Sequence, residues 1–225
     1  MTEADFLHYF RAHLPLPPRS REGKLGLFPV CGEEFACGEG VADLVQGWLD
    51  ADIMTSLTPE GWQVLQAITA SRIFCRLRTD GSSSPQRLAQ MTGTSQRTVQ
   101  AYLGEMLAHG LVVAADDEVA VPRGGRFLPS TEIWAFELKL TDWRRALYQA
   151  LRYKSFAHYA IVAMPTCYAR RALAEKEAFC RFGIGLLSAS EDDAPSFLIQ
   201  PRRCRPRSPA IHLAAVARLW MAAAS

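Results

Sequence analysis

Apolar positions along this chain change period several times, and each change predicts an element. Phe6, Leu7, Phe10 and Leu14 share one helical stripe over residues 4–14, and the Pro-rich run LPLPPRS ends that helix. Residues 25–48 read as a strand pair, LGLFPV and FACGEGVADLVQGW, joined by a polar turn around Gly32. A helix starts at Thr58-Pro59-Glu60, with a side-chain cap and proline at its first position, and Trp62, Leu65, Ile68 and Ile73 carry its stripe to about Leu77. Gly81-Ser82-Ser83 is a loop. Ser84-Pro85 opens a short helix closed by Gly93, and Thr94-Ser95 caps a third helix with Val99, Leu103, Met106 and Leu107 inward and Gly110 as its stop. LVVAADDEVAVP reads as a hairpin about Asp116-Asp117.

After Pro122 the loop RGGRFLPST leads into a strand that is apolar on both faces. Period 2 puts Ile133, Ala135, Glu137 and Lys139 on one face and Trp134, Phe136, Leu138 and Leu140 on the other. A helix follows from about Asp142 to Tyr153, turning Trp143, Ala146, Leu147, Ala150 and Leu151 toward a core, with Gln149 and Tyr153 four apart on one face. AHYAIVAMP is a strand from about His158 to Met164, a helix spans Cys167 to Phe179, and another buried strand starts at Gly183. The acidic loop Glu191-Asp192-Asp193 precedes SFLIQPRRCRPR, a strand running into Arg202, Arg203, Arg205 and Arg207, which either touch a nucleic-acid backbone or form a solvated tail. Ser208-Pro209 opens a last helix whose Leu213, Val216, Leu219 and Trp220 pack on the sheet or on a partner's copy. This alternation of strand and helix predicts an α/β sheet with covering helices.

Composition narrows the picture. A chain of 225 residues that is 49% hydrophobic buries a proper core. No apolar run approaches the roughly 20 residues of a membrane span, and the acidic, amphipathic start is not a signal peptide. The expectation is a cytoplasmic protein without a membrane partner. Its cysteines, at 31, 37, 75, 167, 180 and 204, lack CxxC pairing or nearby histidines, which favours reduced thiols over zinc. Cys31 and Cys37 flank the expected hairpin turn. A net charge of +2 is too small to declare a nucleic-acid partner, so DNA binding must come from local patches.

The candidate chemistry lies in the charges embedded among apolar residues. Burying Glu137 and Lys139 costs several kcal/mol each unless they pair, bind a metal or reach water. A solvated salt bridge is the ordinary meaning of Glu-x-Lys. Asp43 sits in a similar apolar run, just after Gly38 and Gly40, where it is either a capping turn residue or a further ligand.

Glu137-Leu138-Lys139 at a strand end, followed by a helix with Gln149-Ala150 and Tyr153, resembles the PD-(D/E)xK, or restriction-endonuclease-like, nuclease superfamily. GVADLV is similar to that family's second strand, with Ala42 where a proline often precedes the aspartate. The gap from Asp43 to Glu137 is far longer than the family's usual short hairpin. The residues between resemble a winged helix–turn–helix: three helices, a turn and a hairpin in that order, over about Thr58–Pro122. The resemblance implies a restriction-endonuclease-like mixed sheet flanked by helices, formed by residues 1–53 and 124–225, and interrupted by a winged helix–turn–helix at 54–123.

It also implies roles. Asp43 and Glu137, with the carbonyl of Leu138, hold Mg2+ or Mn2+. Lys139 orients or deprotonates water, and Gln149 positions water or phosphate. Glu3 is a further carboxylate of the kind some members carry on the first helix. Tyr153 belongs to the core or behind the site. In the winged helix, Ser95, Gln96, Arg97, Thr98 and Gln100 start the helix that enters the DNA major groove. Winged helices also serve as protein–protein modules, and a wing with Asp116, Asp117 and Glu118 repels phosphate. The function implied is metal-dependent hydrolysis of DNA phosphodiester bonds; the alternative is a nuclease-fold DNA-binding regulator or adaptor that has lost the reaction. Cutting both strands takes two active sites, which leaves a homodimer open.

Overall fold

The computed structural model describes residues 2–14, 27–38, 40–122, 131–190 and 193–224. In chain order the elements are α1 (Glu3–Ala12), β1 (Leu27–Cys37), β2 (Gly40–Asp50), α2 (Ala51–Met54), α3 (Pro59–Leu65), α4 (Ile68–Asp80), β3 (Ser82–Ser83), α5 (Pro85–Thr92), α6 (Gln96–Ala108), β4 (Val113–Ala115) and β5 (Glu118–Ala120). They continue as β6 (Glu132–Leu138), α7 (Trp143–Tyr153), β7 (Tyr159–Pro165), α8 (Thr166–Ala172), a 3-10 turn (Leu173–Glu175), α9 (Lys176–Phe182), β8 (Gly185–Ser190), β9 (Asp193–Ile199) and α10 (Pro209–Ala224). The Pro-rich stop beyond Leu14, most of the loop at 123–130, and Glu191 and Asp192 of the acidic loop lie outside the described residues, as does the side chain of Glu3.

The fold is mixed α/β, and the chain divides into two compact units. The first comprises Met1–Trp48 and Glu132–Arg207. Its six-stranded sheet runs β1-β2-β6-β7-β8-β9, with β2 antiparallel to β6, β6, β7 and β8 mutually parallel, and β9 antiparallel to β8. All seven residues of β6 are buried, as a central strand covered on both faces requires. Trp134, Phe136 and Leu138 pack with Phe6, Phe10, Leu44, Ile161 and Leu187, so α1 covers that face. The opposite face carries α7, whose Trp143 ring lies 6.0 Å from Phe179 of α9.

The second unit comprises Leu49–Thr131 and Ser208–Ser225. Thr58, Ser84 and Ser95 each accept a backbone N–H as helix caps, satisfying donors that the first turn leaves open. Gly93, at φ 63°, closes α5 in the left-handed region and turns the chain into α6. Trp62, Ile73, Phe74, Leu88, Val99, Leu103 and Met106 are buried, and a small sheet of order β3-β5-β4 completes the unit.

Several boundaries differ from the sequence reading. The first strand does not turn at Gly32 but runs to Cys37, and the chain turns at Gly38, which has φ 65°. Cys31 and Cys37 therefore share one strand, and all six cysteines are free. The single helix expected over 58–77 is broken into α3 and α4, where Ser71 Oγ donates to the Leu65 carbonyl at 2.6 Å and satisfies an acceptor the break leaves open. Ser82 and Ser83, read as loop, form β3 by pairing with β5. The helix expected over 167–179 is α8, a 3-10 turn and α9. Helix α10 packs against α3 and α4 and belongs to the same unit as the inserted residues. Its Leu213, Ala214, Val216, Ala217 and Leu219 are buried nearly all round, a pattern that demands cover on more than one side. No described helix is long and apolar enough to cross a membrane.

Candidate functional site

The sheet brings Asp43 and Glu137 together. Pairing of β2 with β6 runs from Trp48↔Glu132 to Leu44↔Phe136, and one further step in that register sets Asp43 opposite Glu137. Like charges facing each other across an antiparallel pair destabilise it. The ladder ends there. At Leu138 the backbone N–H donates to Asp43 Oδ2 at 2.7 Å, so a side-chain carboxylate takes the place of a backbone acceptor on β2. On its other side β6 stays anchored to β7, because Lys139 N donates to the Ala163 carbonyl at 3.1 Å.

Glu137 is fully buried. Tyr153, reaching from α7, donates its hydroxyl to Glu137 Oε2, and the same hydroxyl lies 2.8 Å from the Val41 carbonyl. A phenol has one proton, so it serves one acceptor at a time. With Glu137 ionised the proton points to the carboxylate. With Glu137 protonated the carboxyl donates to the phenol oxygen, and the phenol turns to Val41. The other oxygen, Glu137 Oε1, is buried without a hydrogen-bond partner among the described residues. Lys139 Nζ stands 3.6 Å from it, within ion-pair reach and beyond hydrogen-bond length.

Burial pushes the Glu137 carboxyl up to about 7, the Tyr153 bond opposes that shift, Asp43 reinforces it and Lys139 opposes it. The Tyr153 hydroxyl is pushed up too, by burial first and then by Glu137. Gln149 sits one turn before Tyr153 on α7, half-buried, with its Oε1 also buried and unpartnered. Asp43, Glu137 and Lys139 thus converge, while Gln149 makes no contact with them at hydrogen-bond distance among the described residues.

Among the described residues no group of three or more His, Cys, Asp or Glu side chains stands together as a ready metal cage. The donor set here is two hard carboxylates, one with an orphaned buried oxygen, and it fits an oxygen-seeking divalent cation better than a soft one.

In the second unit, residues at the start of α6 divide into two kinds. Ser95 Oγ accepts from Thr98 N at 3.1 Å and shares a hydrogen bond with Thr98 Oγ1 at 2.8 Å, so both side chains are occupied in capping. Gln96, Arg97 and Gln100 are exposed. Glu118 accepts from Ser82 Oγ across β3 and β5, leaving Asp116 and Asp117 as the exposed acids of the hairpin turn.

Sequence reasoning set Tyr153 in the core or behind the site, where it lies, but did not foresee that its hydroxyl bonds Glu137. The Gln-x-x-x-Tyr spacing carried the signal for its helix face, but not for its reach. Sequence reasoning also passed over Arg145, Tyr148 and Arg152, although their i, i+3, i+7 spacing marks one stripe of α7.

No family model, curated protein or solved structure matches this chain. The functional reading therefore rests on the site itself.

Proposed function

We propose that this protein is a metal-dependent nuclease of the PD-(D/E)xK type that hydrolyses DNA phosphodiester bonds and engages DNA through an inserted winged helix. The observation that carries the reading is the pair Asp43 and Glu137, opposed across β2 and β6, with Glu137 Oε1 buried and unpartnered beside Lys139. Two opposed carboxylates, one of them with a buried and unpartnered oxygen, are hard donors of the kind a divalent cation takes.

The antiparallel β2–β6 step followed by parallel β6, β7 and β8, with α7 crossing between β6 and β7, supports the nuclease-like fold. The order α4, β3, α5, α6, β4, β5, with β3 added to the β4–β5 hairpin, supports the winged helix.

In this reading Asp43 and Glu137 would hold Mg2+ or Mn2+, with the Leu138 carbonyl, on the same strand edge as its N–H, as a further oxygen. A cation there would supply a water of lowered pKa and offset charge on the scissile phosphate. The chain's own groups supply the rest. Lys139 sets its ammonium beside the attacked phosphate, where it donates to the phosphate and orients the water. Tyr153 fixes the Glu137 carboxylate by holding Oε2, leaving Oε1 for the cation. Gln149 offers an unpartnered amide oxygen to water at the helix face. Gln96, Arg97 and Gln100 supply base and phosphate contacts from α6, while Ser95 and Thr98 shape its N-terminus.

One observation favours the alternative, a nuclease-fold DNA-binding regulator without activity. A Glu137 that titrates near neutrality can be satisfied by a proton shared with Tyr153 instead of a cation. Incubation with supercoiled plasmid, linear duplex and single-stranded DNA in magnesium, manganese or EDTA separates the two. Metal-dependent cleavage lost in Asp43→Ala and Glu137→Ala supports the nuclease. DNA binding indifferent to metal and to both substitutions, with no cleavage, supports the regulator.

A further inference from the structure

We infer that the nucleic-acid strand is held beside this site with an unpaired base stacked on Tyr148 and its phosphates on Arg145 and Arg152. The hydrolase reading supplies only the position of the scissile phosphate; the binding track is argued from α7 itself. Four large hydrophobic side chains are left exposed among the described residues: Val41, Leu107, Val113 and Tyr148. The two in the sheet unit are Val41 of β2 and Tyr148 of α7, the helix whose Tyr153 bonds Glu137. Val41 presents its carbonyl to the Tyr153 hydroxyl, and Tyr148 immediately precedes Gln149. Tyr148 is 66% exposed, on a helix whose inner face is otherwise well buried.

Arg145 and Arg152 lie on either side of Tyr148 along the same stripe, and neither is in an ion pair among the described residues. Neighbouring Arg144 shows the contrast. Its guanidinium sits 4.3 Å from the Trp143 ring centre and 3.7 Å from Glu175, so it is already engaged. Arg152 extends back over β2, with its guanidinium carbon 3.7 Å from where a side chain on Gly40 would begin. The stripe therefore leads from an uncommitted cation, past an open aromatic face, to a second uncommitted cation at the strand that carries Asp43.

An aromatic face between two cations matches a polyanion that carries flat rings. Base–aromatic stacking is worth about 1–3 kcal/mol per base and tolerates any base, because every base has a π face. Bases inside a duplex are already stacked on both faces and cannot present one to Tyr148. The track thus selects single-stranded or frayed nucleic acid over intact duplex.

Fluorescence anisotropy of labelled oligothymidylate and of a blunt duplex of equal length, with the full chain in EDTA, tests this without interference from cleavage. The parent should bind the duplex through α6 and the single strand through this track. Tyr148→Ala should weaken that binding about tenfold while leaving duplex binding unchanged, and Tyr148→Trp should restore it. Exchanging both arginines for glutamine should reduce the salt slope on the single strand by about 1.4, two charges at roughly 0.7 each. A Tyr148→Ala chain that keeps full single-strand affinity, or that loses duplex affinity equally, overturns the inference. A protein that cleaves nothing yet shows this binding pattern defeats the hydrolase reading and leaves the track standing.

Discussion

Lys139 Nζ lies 3.6 Å from Glu137 Oε1, on the same face of one strand, and Asp43 stands opposite Glu137 on the next. The two carboxylates oppose each other's ionisation, and Glu137 is fully buried. That makes the pair sensitive to protons and to cations.

The first consequence is a stability penalty that appears as pH rises. Glu137 titrates at about 7 in the folded chain, against an ordinary value of 4.5. Below 4.5 it is protonated in folded and unfolded states alike and costs nothing. As pH climbs from 4.5 to 7 the unfolded chain ionises first, so stability falls, by about 3 kcal/mol at most, and then levels off above 7. Glu137→Gln should flatten this window and melt higher than the parent at pH 8, as followed by thermal melts across the pH range.

Magnesium should have the opposite effect to alkali. If the carboxylate pair is the cation site we propose, Mg2+ binds the ionised form and at pH 8 adds about 2.7 kcal/mol of stability at a hundredfold excess over Kd, read as a higher melting temperature. At pH 5 the shift should shrink, because a proton already occupies Glu137. Asp43→Asn should remove the response; an unchanged magnesium shift in that variant would place the cation elsewhere.

Tyr153→Phe tests the link between helix and site. It deletes the hydroxyl that bonds Glu137 and Val41, costing about 1–3 kcal/mol for the buried groups left unpaired. Because the Tyr153 bond holds the Glu137 pKa down, its loss should push the carboxyl higher. The descending limb of the stability profile should then extend to higher pH, whereas a purely packing role would lower stability equally at every pH.

At the start of α6 two substitutions should separate capping from contact. Ser95→Ala removes the helix cap and should cost about 1 kcal/mol of stability. Arg97→Ala leaves the cap intact and should weaken duplex binding, reducing its salt slope by about one. If the Arg97 variant binds duplex as the parent does at every salt concentration, α6 is not a DNA-reading helix.

Leu213→Ala probes the C-terminal helix. Leu213 is 1% exposed within the unit that α10 shares with α3 and α4. Its truncation should cost about 2–5 kcal/mol, measured by denaturant unfolding. A loss under about 1 kcal/mol would mean that α10 contributes little to that unit.

The alternating pattern of β6 is legible in the order of its residues. Trp134, Phe136 and Leu138 belong to the face packed on α1, and Glu137 and Lys139 to the other, because side-chain period in a strand is a local property. The caps at Thr58, Ser84 and Ser95 are legible for the same reason: a cap is a bond across three residues. The turn falls at Gly38 and not at Gly32, since either glycine permits a turn and strand pairing decides which one makes it.

What local pattern could not carry was set by contacts between distant residues. Ser82 and Ser83 have no strand signature and become β3 only because Val119 and Ala120 lie alongside them. Helix α10 is apolar enough to pack on several surfaces, and its grouping with α3 and α4 depends on which surface the folded chain offers. The hydroxyl of Tyr153 meets Glu137 across 16 residues, and the carboxylate of Asp43 meets Leu138 across 95. Residue type and period name the groups able to do chemistry. Burial and register, which exist only once the sheet has closed, decide which of them share a charge.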